Sequence, residues 1–298
     1  MEPRQLDFKV IAQDLENLLT ALENKLEREA AQLDPMALGY LLPAARIIRN
    51  TWKTISYFCA DAPEDAARKR EFALSAAPLN RSILDIIFNT VFLLEDPDSR
   101  LQWFAKAGWR EQKVEYERLK ADFGHLPDWS DWLERVYGQL LPIGVKVLQL
   151  TKAETENAYL IPRWPNPGGL IGYGIGKGVD PPQTRKLLRR LDEIFYADLS
   201  QQAHASFLGL MKRGSYFAPQ VSSDQRSAVL EGLRQEQVFT SLTLLFLYMS
   251  VLDEYFNLAL DPRIRYLWTV VAETEDRTKL VYQIRYEQPL FKGRHPTG

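Results

Sequence analysis

One apolar segment of this chain carries a short row of residues that could do chemistry. In "LNRSILDIIFNTVFLL", residues 79–94, Arg81, Asp85 and Asn89 recur at i, i+4 and i+8 and so share one narrow face of a helix. The rest of the circumference is apolar, which predicts a buried helix. Arg81 and Asp85 can pair with each other. Because a buried charge is costly without partners, their remaining hydrogen-bonding groups need further partners or a water-filled cavity.

A second row with the same spacing lies in "YADLSQQAH", where Tyr196, Ser200 and His204 fall on one face of another apolar helix. Two buried helices with matching polar rows are expected to turn those rows toward each other. Asp85 would then accept a hydrogen bond from His204 or Ser200, and Arg81 would donate to Tyr196 or to an outside anion. An imidazole beside a carboxylate can act as acid or base near neutral pH.

Three interpretations of these rows stay open from the residues alone: a satisfied polar network that fixes helix register, a ligand pocket, or a catalytic site. Within the catalytic interpretation, His204 would move protons on a phosphate ester while Arg81 stabilises negative charge. Nucleophilic attack by Ser200 fits less well, because no strained elbow or glycine-lined oxyanion hole adjoins it. Tyr196, Ser200 and Asn89 would bind the substrate.

A basic run and a glycine-rich loop flank the second row. The run "RKLLRR" lies about three turns before His204. Such a run is usually a solvated helix face, but at the mouth of a pocket Arg185 and Arg189 would attract phosphates or RNA without sequence choice. The loop "GYGIGKG" lacks P-loop spacing and follows no strand, so we interpret it as a mobile lid to which Lys177 adds one charge.

Metal and cofactor sites are not expected. His125, Asp128 and Asp131 in "HLPDWSDW" are possible metal ligands, but acids near a helix start are more commonly caps. The single cysteine, Cys59, excludes an internal disulfide framework and a thiolate-rich zinc site, as is usual in a reducing compartment.

Composition and charge favour a cytoplasmic protein with a sizeable core. Hydrophobic residues make up 46% of the 298 residues, and 37 basic side chains nearly balance 39 acidic ones, so no global field attracts nucleic acid or an anionic membrane. The N-terminus carries acids every few residues and does not resemble a targeting segment. The most apolar stretch, residues 239–256, is closed by acids and is typical of a core helix rather than a membrane span.

The hydrophobic periodicity predicts an all-α bundle of many helices around the central buried helix 239–256. Helices are expected at 7–33, 44–59, 79–94, 99–123, 129–158, 182–211 and 239–256, with a start signal at 61–65 and a shorter helix from about Pro262. The last stretch could be helix or strand. Residues 160–182 form one long Gly/Pro-rich loop. The chain is expected to be one domain, 1–298, with a possible subdivision into 1–159 and 183–298 joined by that loop.

The helix with "RSILD" at 81–85, the aromatic-rich stretch after it and "YADLSQQAH" resemble a bacterial domain-of-unknown-function family of all-helical proteins. The chain is more distantly similar to the HEPN group of helical nucleotide-binding and ribonuclease domains, over roughly residues 35–260. This resemblance implies a metal-independent ribonuclease or phosphodiesterase that serves as a toxin or phage-defence effector. The HEPN ribonuclease signature fits formally only "RLKADFGH", Arg118 to His125, with Leu119 where that group prefers a polar residue.

A non-catalytic protein is the alternative function. In that case the polar rows only set helix register, and the long helices bind a partner protein or a second copy of the chain.

Overall fold

The computed structural model describes residues 8–29, 35–59, 73–203 and 220–291. Every regular element within these ranges is helical and none is a strand, which confirms the all-α prediction. The chain divides into two compact units. Unit 1 comprises residues 1–95 and 170–298, and unit 2 comprises residues 96–169.

The α-helices of the described residues are numbered in chain order. They are α1 (Phe8–Glu29), α2 (Pro35–Cys59), α3 (Ala76–Glu95), α4 (Pro97–Phe123), α5 (Pro127–Pro142), α6 (Lys152–Glu156), α7 (Pro167–Gly172), α8 (Gln183–Leu191), α9 (Ala197–Ala203), α10 (Ser223–Phe256), α11 (Asp261–Ala272) and α12 (Asp276–Glu287). Two π-helical turns interrupt this pattern, Ile143–Val147 after α5 and Asp192–Tyr196 between α8 and α9.

Helix α10 is the centre of unit 1. Every residue from 240 to 253 is buried, and the helix packs against α2, α3, α11 and α12. The prediction of a central buried helix is therefore confirmed. The helix begins well before the predicted start, at a capping box in which Ser222 Oγ accepts from the Gln225 amide at 3.2 Å and Gln225 Oε1 accepts from the Ser222 amide at 3.1 Å.

Helices α3 and α10 are long and apolar enough to cross a membrane by length and composition alone. Of their most apolar windows, 61% in α3 and 89% in α10 is buried inside the structure. Core helices pass the same test, because a helix that is apolar all round buries every face against protein. Length and composition therefore give only weak grounds for a membrane span.

Unit 2 is a pair of long helices with its own core. Helices α4 and α5 pack against each other, and Trp109, Tyr116, Leu133 and Leu140 form the centre of the apolar cluster between them. The Trp109 indole donates to the Leu140 carbonyl oxygen at 2.9 Å. This bond satisfies the polar atom of a buried tryptophan at the point where α5 ends.

Several helix boundaries differ from the predicted ones. Helix α2 starts at Pro35 rather than at residue 44 and contains Pro43 on its exposed side. The helix predicted for 129–158 stops at Pro142 and its π turn. The loop 160–182 contains the short helix α7, and the C-terminal stretch that could have been helix or strand is the helix α12. The start signal at 61–65 lies outside the described residues.

The contacts also divide the chain differently from the predicted subdivision at the loop 160–182. Helices α1 to α3 belong to the same unit as α8 to α12. Unit 1 is discontinuous in the sequence because α10 packs on the N-terminal helices α2 and α3. The segment between its two parts forms unit 2.

Candidate functional site

The first predicted polar row lies on α3. Of the second row, Tyr196 lies in the π turn before α9 and Ser200 lies in α9, which packs on α3. The side chain of Arg81 comes from the second turn of α3, and the ring of Tyr196 comes from the π turn that leads into α9. The guanidinium carbon of Arg81 lies 3.7 Å from the centroid of the Tyr196 ring. The structure thus brings Arg81 and Tyr196 together, as the matching rows predict.

The contact is a cation–π stack rather than the expected hydrogen bond to the phenol. Arg81 Nη1 donates to Asp85 Oδ1 one turn further along α3. The ring of Phe88 lies 6.0 Å from that of Tyr196, so the stacked tyrosine also packs on the apolar face of α3. A partly desolvated stack of this kind contributes about 1–2 kcal/mol and holds the guanidinium plane in one orientation.

The three side chains differ in their access to solvent. Arg81 is buried at 9% exposure, whereas the side chain of Asp85 is 41% exposed and Tyr196 is half-buried. Among the residues that the structure describes, the buried Nε of Arg81 has no hydrogen-bond acceptor. The site therefore combines a buried donor with a carboxylate that a ligand can reach.

Tyr196 remains protonated in this setting. Burial raises the pKa of its phenol above the ordinary value, the charge of Arg81 opposes the rise, and Asp85 and Asp192 add to it. The protonated phenol of Tyr196 can donate a hydrogen bond to a ligand, and the face of its ring stabilises the Arg81 guanidinium. The residue is thus suited to positioning a ligand and not to accepting a proton.

The π turn Asp192–Tyr196 sets the position of this ring. A π turn inserts one extra residue into a helix, and such turns occur frequently at functional sites. The buried residues Leu188, Leu191, Phe195 and Leu199 continue across this turn, and both α8 and α9 pack on α3.

Arg185 lies neither on a solvated helix face nor at the mouth of a pocket, the two positions considered for it from the sequence. It is almost fully buried, and its Nε donates to Glu95 Oε1 at 2.6 Å, next to a bond from the Thr184 hydroxyl to the same oxygen. Its guanidinium carbon lies 4.3 Å from the Phe92 ring centroid. The buried carboxylate at the end of α3 provides the countercharge that allows an arginine of the basic run to enter the core.

The remaining predicted residues are only partly brought together. Asn89 and Ser200 are half-buried and continue the two rows along α3 and α9. Arg189 is exposed, and Lys177 is exposed in a loop where Gly174 and Gly178 have φ of 71° and 80°, values that favour glycine.

His204 lies outside the described residues, so its pairing with Asp85 stays a prediction. Among the described residues no three or more His, Cys, Asp or Glu side chains are grouped closely enough to hold a metal ion. The sequence candidates His125, Asp128 and Asp131 are among the described residues and do not form such a group.

Sequence reasoning missed a second polar cluster on α3. Asn80 Nδ2 lies 3.0 Å from both the carbonyl oxygen and Oε1 of Gln237 on α10, and the Ser241 hydroxyl lies 2.7 Å from Asn80 Oδ1. All three residues are buried. A signal was present, since an asparagine next to Arg81 on an apolar helix needs a partner as much as the arginine does.

A third polar cluster ties the C-terminal helix to α10. Arg285 is buried and donates to Ser250 Oγ at 2.9 Å and to Glu254 Oε2 at 2.7 Å, while Glu254 Oε1 accepts from the Leu290 amide at 2.6 Å. These bonds close on themselves within the core. They explain why the polar interruptions of α10 do not prevent its burial.

Comparisons with protein-family models, with curated proteins and with solved structures each returned no match.

Proposed function

We propose that this protein is a HEPN-like enzyme that acts on RNA or another phosphate ester without a metal ion. In this proposal His204 moves protons, Arg81 stabilises developing negative charge, Asp85 orients His204, and Tyr196 and Ser200 position the substrate. Its setting is the bacterial cytoplasm, where the resemblance described above implies a toxin or phage-defence effector.

The buried Nε of Arg81 is the observation that supports this proposal most. A buried donor without an acceptor costs about 1–3 kcal/mol, and a phosphate oxygen that displaced the groups covering Nε would remove that cost. The neighbouring Asp85 has an exposed carboxylate that can accept from a ribose hydroxyl. A donor for phosphate next to an acceptor for a sugar hydroxyl matches a nucleotide better than it matches a simple anion.

Electrostatics add a quantitative expectation. Asp85 neutralises most of the local charge of Arg81, so the site has little long-range attraction for a polyanion. Arg189 and Lys177 are the exposed cations named by the sequence analysis, and each phosphate they contact would add about one unit to the salt dependence. RNA binding is therefore expected to weaken only modestly as salt rises.

Incubation of the purified chain with total RNA at pH 7 tests the proposal. We expect fragments with the wild type, persistence of cleavage in EDTA, and loss of cleavage in His204→Ala and in Arg81→Met. The matched control is His125→Ala, which removes an exposed histidine in unit 2. Cleavage that survives in His204→Ala but disappears in His125→Ala would assign the chemistry to the "RLKADFGH" segment and contradict the site proposed here.

The second candidate function is a non-catalytic interaction or oligomerisation module. It is favoured by the closed Asn80–Gln237–Ser241 network, which lies on the same helix as Arg81 and only joins α3 to α10. In this case the wild type would leave RNA intact, and His204→Ala would lower the unfolding temperature without changing the mass of the assembly in solution. Sedimentation of wild type and variant measures that mass.

A further inference from the structure

The ion pair of Arg81 and Asp85 joins a buried cation to a carboxylate that reaches solvent. The side chain of Arg81 is 11% exposed, whereas that of Asp85 is 41% exposed. An exposed carboxylate loses little when it turns into water, because ion pairs near the surface contribute little to stability. A buried guanidinium cannot follow it without leaving its packed neighbours. Asp85 is therefore the partner of this pair that can be replaced.

The ring of Tyr196, and not Asp85 alone, holds the Arg81 guanidinium in place. The guanidinium carbon lies 3.7 Å from the centroid of that ring. The Tyr196 ring in turn lies 6.0 Å from the ring of Phe88, which is fully buried on α3. Since this stack does not involve Asp85, it keeps the guanidinium in one orientation when the carboxylate moves away. Arg81 thus presents its N–H groups at a fixed position.

Asp85 uses only a small part of the hydrogen-bonding capacity of Arg81. A guanidinium carries several N–H donors in a planar fork. Within the described residues these donors make one hydrogen bond, from Nη1 to Asp85 Oδ1, and the buried Nε has no acceptor. A phosphate group brings more acceptor oxygens and more negative charge than a carboxylate, and it binds a guanidinium through parallel hydrogen bonds. A phosphate group is therefore the stronger partner for Arg81.

Asp85 and a phosphate group cannot both stay at the Arg81 guanidinium. Two anions beside one cation repel each other strongly where burial keeps water away. A phosphate group that binds Arg81 consequently displaces the Asp85 carboxylate toward solvent. The displaced carboxylate has both oxygens available, and it then accepts from the His204 imidazole or from a ribose hydroxyl, as the function proposed above requires.

We propose that Asp85 is an internal competitor of the substrate: it occupies the phosphate position at Arg81, and the binding of a phosphate group releases it to act as a hydrogen-bond acceptor. The inference rests on the function proposed above, because it gives the order in which Arg81 and Asp85 act at that site. Phosphate binding and the supply of the acceptor are thereby coupled.

Asp85→Asn tests the competition, because it removes the charge of the carboxylate and keeps a side-chain oxygen. The variant leaves the buried Arg81 without a counterion, so its unfolding temperature should fall in chloride buffer. Inorganic phosphate at the same ionic strength should restore that temperature, and should change that of the wild type much less. In calorimetric titration we expect inorganic phosphate to bind Asp85→Asn at least tenfold more tightly than the wild type. Adding Arg81→Met to the variant should abolish this binding.

The matched control is Asp261→Asn. Asp261 pairs with Arg265 four residues further on, and the Arg265 guanidinium carbon also lies 3.7 Å from the centroid of a tyrosine ring, that of Tyr286. The side chain of Arg265 is 48% exposed, so water replaces the lost carboxylate and no gain in phosphate affinity is expected. Equal phosphate affinity of wild type and Asp85→Asn, or an equal gain in Asp261→Asn, would overturn the inference.

Carboxyl-carbon NMR of the wild type measures the release itself and does not depend on whether Asp85→Asn folds. Saturation with phosphate should move the Asp85 carboxyl resonance toward its position in Arg81→Met, where no guanidinium holds the carboxylate. A resonance that stays in place while phosphate binds would contradict the release.

RNA separates this inference from the proposed function. If both hold, Asp85→Asn should bind a 2′-O-methyl RNA oligonucleotide more tightly than the wild type does, and should cleave unmodified RNA more slowly. Tighter phosphate binding by the variant, together with no RNA cleavage by the wild type, would contradict the proposed function and support the competition at Arg81. RNA cleavage by the wild type, together with no gain in phosphate affinity in Asp85→Asn, would overturn the inference alone.

Discussion

Gly144, in the π turn after α5, is a position of unit 2 that has no space for a larger side chain. A Cβ atom at this position would lie 2.7 Å from Trp109 Nε1, closer than real Cβ contacts come. The indole cannot shift away without losing its hydrogen bond to the Leu140 carbonyl oxygen. We expect Gly144→Ala to destabilise unit 2 by about 1–3 kcal/mol, measured by urea unfolding followed by tryptophan fluorescence.

Gly138→Ala provides the matched control for that substitution. Gly138 lies inside α5 and its Cβ would meet nothing within 4 Å, so alanine should stabilise the helix by about 0.5–1 kcal/mol. Equal effects of the two substitutions would show that the Trp109 contact does not restrict position 144.

The site residues differ in how far the sequence could predict them. The Arg81–Asp85 pair follows from i, i+4 spacing on a buried helix, and the contact of Arg81 with Tyr196 follows from the matching rows. The stack on the ring face did not follow, since spacing alone does not fix side-chain orientation. The burial of Arg185 does not follow from the local sequence, because its countercharge, Glu95, is ninety residues away.

At the scale of elements, the Asn80 cluster joins α3 to α10. Replacing Asn80 with Ala leaves Gln237 Oε1 buried without its donor, and Ser241→Ala removes the hydroxyl beside Asn80 Oδ1. We expect each substitution to cost about 1–3 kcal/mol of the free energy of unfolding, and a double-mutant cycle to give a coupling of at least about 0.5 kcal/mol. Urea unfolding followed by circular dichroism measures both.

Ser82→Ala is the control for that cycle. Ser82 is the exposed neighbour of Arg81 on α3, and its hydroxyl donates only locally to the Pro78 carbonyl oxygen, so the change should stay within about 0.5 kcal/mol. Additive effects of Asn80→Ala and Ser241→Ala would show that these residues do not act as one cluster.

The sequence predicts most helices of the described chain, but not several of the residues at which they begin or end, nor the two π turns. Apolar periodicity predicts α1, α3, α4 and α10, because each of these helices packs an apolar stripe or its whole circumference against a core. Packing then overrides local signals. Pro43 does not start α2, since Ala37 and Leu41, six and two residues before it, are buried and hold that part of the helix in place.

At the scale of the whole molecule, the division into units depends on contacts that no local pattern encodes. The Gly/Pro-rich composition of 160–182 indicates an interruption there but not which helices share a core. The decisive contacts run from α10 to α2 and α3, across more than a hundred residues of sequence. Residues 96–169 form a separate unit with their own apolar cluster.

Two cores predict two unfolding transitions. Unit 2 holds the tryptophans Trp103, Trp109, Trp129, Trp132 and Trp164, whereas unit 1 holds Trp52 and Trp268. Tryptophan fluorescence therefore reports mainly on unit 2 and circular dichroism mainly on unit 1, which contains more of the helices. We expect the two signals to have different midpoints in urea.

The substitutions argued above separate the two transitions. Gly144→Ala should lower the fluorescence midpoint by about 1 M urea and leave the main dichroism transition in place, and Asn80→Ala should do the reverse. This follows because each substitution disturbs a cluster contained within one unit. A substitution that shifts both signals equally would show that the two cores unfold as one cooperative body.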